Sequence, residues 1–590
     1  MNKIKSIIKG MGRKIKKCYD AVYKKAPYIE PTLIISGSLL VSLGIFISIK
    51  GALNVEVTAI ESNEAEIAFY NNDYESAINE YEKLQKGSDW PFWEVKISEV
   101  YSIQGKFEKS NELLNSAMKK RNKILSDISK ENYEEDYKEK DREFINYVVF
   151  TYFMNEEYEE ALHIAEEFIA QNGKDKTLMR TMYTIYMVDN KNEKAEEIVD
   201  TYEVDNESAY DLSLLAEMHM IMGDFETGFN LLNDAFNKDK NEIKVFDVIS
   251  DFATYDKNGM LTELEEIVEE NPNELAYKMF LAKIYSMESE TSNMAADILE
   301  ELENEDVGIV QLKLIESTIY RNMGDDEKAK VVLEEAIKNA EDSFMSYYIE
   351  AWQSFNEKDY DKALELSKNS VLANRDYPNN YGILIPEILM AKQNSEIAES
   401  YFRTALQKEP FNYNIIIKVA EYYGDKSIEN EKARRYYTLA SKLTPNYSEI
   451  YYDLATIDFM DNNMDSAIEN LNKAIEIDEN NIKYHRLLGT VYLNTKEYDE
   501  AIESIRNAYA LDENDSLTLN NAGIYYIVVE KNIERGMSNI QAAYDSINNN
   551  MDDETMKKIL KNYNKAKKVY DEYNNGYESE LKLSDFDLFY

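Results

Sequence analysis

The residues with the most suggestive spacing for chemistry lie in 254–265, TYDKNGMLTELE. Asp256, Asn258 and Glu265, with Gly259 at a bend and Leu261 beyond it, occupy the relative positions of a helix–loop–helix calcium loop. Oxygen ligands at that spacing would surround a hard divalent cation, and the glycine would allow the sharp turn between them. Thr254 stands where such loops place their first Asp, which removes one charged ligand. The same residues fit an ordinary turn with Gly259 at its bend, so both readings stand as expectations.

Other chemistry is sparse. There is one cysteine, Cys18, and three histidines, His163, His219 and His485, all far apart in the chain. A zinc site built on cysteines and an intrachain disulfide are both excluded, and a Cys–His nucleophilic pair has no support. No phosphate loop, HExxH helix, nucleophile elbow or dinucleotide turn occurs. Carboxylates are so frequent that no pair stands out as an acid–base couple. The expectation is therefore a non-enzyme that uses no cofactor.

The elements that would position such residues come from a repeat. A small residue recurs about every thirty-four positions: Ala77, Ser110, Ala161, Ala195, Gly228, weaker copies near Leu264 and Ala295, then Ala329, Ala363, Ala398, Ala433, Ala467, Ala501 and Gly536. Each copy reads as two helices, with the small residue letting them approach and Tyr, Phe or Leu filling the gap. One such unit cannot bury its apolar face alone, whereas stacked units complete one another's core. The composition agrees, with 44% hydrophobic and 30% charged residues and only 8 prolines and 19 glycines.

This pattern resembles the tetratricopeptide repeat family. The likeness is carried by Gly223-Asp224-Phe225, by Asp359-Tyr360 with Ala363-Leu364, and by Glu497-Tyr498 with Ala501-Ile502. Pro410 and Pro445 fall where that family often places proline, between one repeat and the next. The resemblance implies an all-α superhelical solenoid of about 14 helix pairs. We expect the solenoid over 55–550, with an insertion near 122–140 and degenerate repeats over 251–308. A capping helix is expected over 551–574 and an acidic, aromatic tail over 575–590. The tail, ending LSDFDLFY, either folds back on the cap or serves as a short docking peptide.

The resemblance also implies that the first helix of each pair lines a concave, ligand-binding groove. Carried over by position, this puts Tyr452, Thr456, Phe459 and Met460 on the groove, followed by Arg486, Thr490, Leu493 and Asn494, and then Asn520, Ile524 and Ile527. So apolar a surface suits an extended or helical peptide. Superhelical packing or the tail itself could equally cover it. The paired lysines and asparagines with which one subgroup of the family grips chaperone C-termini do not recur at matching positions.

Charge is unevenly distributed. The formal net charge is -46, yet residues 1–50 carry ten Lys or Arg against Asp20 and Glu30. An acidic body of this kind repels nucleic acid and favours protein or peptide partners, basic ones in particular. The basic leader 1–31 precedes an uncharged run, TLIISGSLLVSLGIFISI, inside a segment 32–54 expected to be a single transmembrane signal-anchor helix. The positive-inside rule then puts the N-terminus in the cytoplasm and the repeats outside. A cleaved signal peptide is the other reading of that run. The functional expectation is a membrane-anchored, non-catalytic scaffold for protein–protein interactions on the outer face, organising envelope or secretion components. An assembly factor for cell-surface polysaccharide and a cytoplasmic-facing adaptor remain as alternatives.

Overall fold

A computed structural model describes residues 63–424, 429–547, 551–577 and 581–590. The described residues are helical, with no strand among them, and successive helices pair and stack as a solenoid. The pair Ser448–Met460 and Met464–Ile477 is followed by Ile482–Thr495 with Tyr498–Leu511, and by Ser516–Val528 with Ile533–Asp545. First helices such as Ile482–Thr495 and Ser516–Val528 are buried on most of their circumference. Second helices bury one stripe, such as Ala501, Ile502, Ile505 and Ala508. This division follows from stacking, since a first helix lies between its own partner and the neighbouring unit.

The small residues act as expected of them. A Cβ added at Gly536 would come within 2.3 Å of an Ile527 side-chain carbon and 2.7 Å of the Gly523 carbonyl oxygen. The two backbones therefore meet at a distance only glycine tolerates.

The turn inside most pairs recurs as a geometry. One residue sits in the left-handed region, with φ between 54° and 87°, at positions including Gly105, Glu156, Asn190, Gly223, Gly324, Lys358, Asn462 and Lys496. The next N–H then reaches back to the first helix, as from Asp224 to His219 O and from Glu497 to Tyr492 O. These bonds satisfy carbonyls that a helix end would otherwise leave open. Between Ile243–Tyr255 and Lys257–Glu270 the turn is absent, and Asp256 alone separates the helices. This stretch lies in the segment where the sequence repeats are weakest.

The solenoid curls until later repeats enter the concave face of earlier ones. Helices Glu399–Lys408 and Tyr413–Gly424 lie against the repeats between Glu64 and Tyr255. Ser400 Oγ donates to Phe69 O at 2.6 Å, and Phe411 and Tyr413 pack their rings on Tyr183 and Phe252. At the centre Lys244, 1% exposed, bridges Glu217 (2.6 Å) and Glu409. Nearby, Asp247 accepts from Tyr377 and Asn379, and Asp251 accepts from Asn414. Charges removed from water this completely are stable only when paired and hydrogen-bonded.

One expectation is corrected. No helix among the described residues is long and apolar enough to cross a membrane, and the segment 32–54, with the leader 1–31, lies outside those residues. The single-pass, outward-facing placement thus loses its support.

Candidate functional site

The C-terminal groove is built by the first helices Ile482–Thr495 and Ser516–Val528 and by the 22-residue helix Asp553–Asn574. Residues 581–590 run through it in extended form, with only a single 3-10 turn at Leu583–Asp585. Two side-chain amides hold this segment by its main chain. Asn521 donates from Nδ2 to Phe589 O at 2.7 Å and accepts from Phe589 N at 3.0 Å. Asn562 treats Asp587 alike, donating to its carbonyl at 2.7 Å and accepting from its N–H at 3.0 Å. Asn520 adds a second donor to Asp587 O at 3.1 Å, and the Thr490 hydroxyl lies 2.8 Å from Phe589 O.

Asn520, Asn521 and Asn562 are fully buried. An amide has weak helix propensity and is costly to bury unless its donors and acceptor are satisfied. The tail main chain supplies much of what they need, at alternate residues, as an added strand would.

Apolar pockets take the aromatic side chains of the tail. Phe586 sits among Ile524, Ile527, Ile540 and Ala566, and Phe589 among Leu519, Ala543 and Ile559. Tyr590 meets the Phe459 ring edge-on, with centroids 5.4 Å apart. The rim is cationic: Lys561 pairs with Asp587 at 2.7 Å, and Lys565 donates to Asp585 O at 2.8 Å. The Lys582 backbone N–H, helped by Lys565, holds the Asp585 carboxyl below its usual range.

Of the groove residues read from sequence, Phe459, Thr490, Asn520, Ile524 and Ile527 meet the tail, and Leu493 shares a buried cluster with its Leu583 and Leu588. Others do different work. Arg486 is buried in an ion pair with Asp515 at 2.7 Å, and Tyr452 packs against Tyr484. Thr456 bonds its own helix, while Met460 and Asn494 are exposed. Sequence reasoning missed Asn521 and Asn562. The available signal was an Asn-Asn pair inside a largely apolar helix, matched by Asn562 among the lysines of the cap.

The calcium-loop residues do not converge. Asp256 caps the helix Lys257–Glu270 by accepting from Gly259 N at 3.0 Å, Asn258 lies in its first turn, and Glu265 accepts from the Tyr285 hydroxyl. No group of acidic, His or Cys side chains among the described residues could hold a metal ion.

A tetratricopeptide repeat family model matches residues 311–343, 448–481 and 483–515, so the chain carries these repeats, two of them at the groove. No curated protein matches the sequence. Similar solved structures include the Naa15/Naa10 complex bound to HypK-THB, with 13% identity, covering 88% of this chain and 97% of that one at a TM-score of 0.37. The Cut9–Hcn1 hetero-tetramer of the APC/C is 14% identical, covering 78% and 94% at 0.35. YrrB, a TPR protein with an unusual peptide-binding site, is 20% identical, covering 31% and 93% at 0.27. The repeat itself is suited to protein–protein interaction and typically serves as a non-catalytic scaffold.

Proposed function

We propose that this chain is a non-catalytic scaffold whose C-terminal groove captures an extended peptide from a partner protein, with its own residues 581–590 holding that place in the meantime. The observation that carries the reading is the double clamp of Asn521 and Asn562 on the tail main chain. Main-chain bonds supply affinity for any extended segment, and the pockets for Phe586 and Phe589 supply selectivity. Lys561 and Lys565 on the rim favour an acidic, aromatic peptide here, although the body's overall charge favours basic partners elsewhere.

The test uses a fluorescent LSDFDLFY peptide and the full chain carrying Phe586→Ala and Phe589→Ala, which loosen the resident tail. Saturable binding is expected, tighter than to the unaltered chain. Adding Asn521→Ala and Asn562→Ala should abolish it. Peptide binding that never saturates, or that ignores the asparagines, sinks the reading.

A further inference from the structure

A second cavity, of about 710 Å³, lies where the curled solenoid meets itself. Its walls come from the turns around Gly105 and Glu156 on one side, and from Arg403 and the helix Asn430–Leu443 on the other. The body is strongly acidic, yet Arg403, Lys432, Arg434, Arg435 and Lys442 all line this space, against only Glu156 and Glu431.

Three of these cations are matched by carboxylates. Lys432 pairs with Glu399 and Glu429, Arg434 with Asp458 and Asp461, and Arg435 with Glu156. Arg403 and Lys442 carry no ion pair among the described residues. Arg403 is only 5% exposed. Its Nη2 donates to Ser102 Oγ at 3.1 Å and its guanidinium lies 5.8 Å from the Phe150 ring centroid, but its buried Nη1 has no hydrogen-bond partner among the described residues. An always-charged group held this deeply, with a free donor and no counter-charge, is costly unless an anion completes it. Phe107, Phe153, Tyr158 and Leu439 make the rest of the wall largely apolar.

We propose that this cavity binds a carboxylate carried on an aromatic or aliphatic body, with the anion on Arg403 and Lys442 and the body against Phe107, Phe153 and Tyr158. Guanidinium and carboxylate are matched in shape and charge, and the volume is that of an ordinary small-ligand site. A small free acid and an acidic, aromatic peptide segment share this chemistry. The site is independent of the C-terminal groove, so either could fail alone.

The probes are phenylacetate, its neutral counterpart phenethyl alcohol, and N-acetyl-Asp-Phe-amide, each titrated calorimetrically into the full-length chain. Phenylacetate or the peptide should bind at least roughly tenfold more tightly than the alcohol, as expected of a charge-assisted contact. The tighter of the two identifies the source as a small acid or a protein segment. Arg403→Gln should bring the acid down to the level of the alcohol, and Lys442→Gln should weaken it several-fold. If Arg403→Gln does not fold, Lys442→Gln at the half-buried rim decides: unchanged acid affinity overturns the proposal. So does an acid and a peptide that both bind no better than the alcohol.

Discussion

Two concave faces in this molecule are filled from within the chain, by opposite means. The N-terminal face holds whole helices, Glu399–Lys408 and Tyr413–Gly424, locked by side-chain pairs such as Lys244 with Glu217 and Glu409. The C-terminal face holds a strand-like segment gripped chiefly by its main chain. Helices inside a solenoid cannot leave without unstacking the repeats on either side of them. A peripheral segment held by backbone bonds and two rings can leave while the repeats stay stacked, because each repeat contacts only its neighbours. The first filling is architecture, and the second has the form of a ligand.

The sharpest way to break that comparison is at Lys244. Lys244→Met strands two buried carboxylates, and a loss of about 3–5 kcal/mol is expected in urea unfolding. A loss well under that would mean the inner helices are held loosely and the contrast is false.

A second lever is pH. Burial, then the neighbouring Asp247 charge, pushes Asp251 up to about 8, while burial pushes Asp247 to about 6. Both groups have folded-state pKa values above their unfolded ones. Their stabilising contribution is complete below the unfolded value and is lost as pH rises through the folded value. Urea stability should therefore fall from about pH 4 to about pH 8, by about 3 kcal/mol over the last two units. Asp251→Asn should flatten the fall, and an equally steep profile in that variant would refute the assignment.

At the other face, Asn521→Ala should cost the tail about 1–3 kcal/mol through two lost main-chain bonds. The readout is amide exchange at Phe589, expected to accelerate strongly while the global unfolding midpoint barely moves. Coincident loss of both would make the tail part of the core. The smallest effect is expected outside both faces. Asp256→Ala should cost about 1 kcal/mol as a lost helix cap, and added calcium should leave the melting temperature of either protein unchanged. A calcium-dependent rise abolished by Asp256→Ala would restore the loop reading.

What could be read in advance follows from range. The repeat period and small contact residues such as Ala501 act within a helix pair, so the all-helical solenoid was legible. Positions such as Asn520, Ile524 and Ile527 follow from helical phase once the first helices are located. The clamp was only half visible, because Asn562 lies on a cap outside the period and its partner is 25 residues further on. The Lys244–Glu409 pair spans 165 residues. It depends on small rotations accumulated over successive repeats, which no local pattern encodes. Arg486, placed on the groove by position alone, is drawn to Asp515 because a buried guanidinium takes the available carboxylate.

The left-handed turn between paired helices also bears on how such a chain ages. Gly105, Gly223 and Gly324 adopt it freely, but Glu156, Lys358 and Lys496 hold the same angle with a side chain, at about 1 kcal/mol or more apiece. Neighbouring units evidently hold each turn in shape firmly enough for its glycine to be dispensable. Mutation can then rewrite a copy's lettering at this position while the backbone keeps its angle, as the mix of Gly, Glu, Asn and Lys there illustrates. In lineages of this kind, divergence should erase the sequence kinship between copies well before it erases the stack.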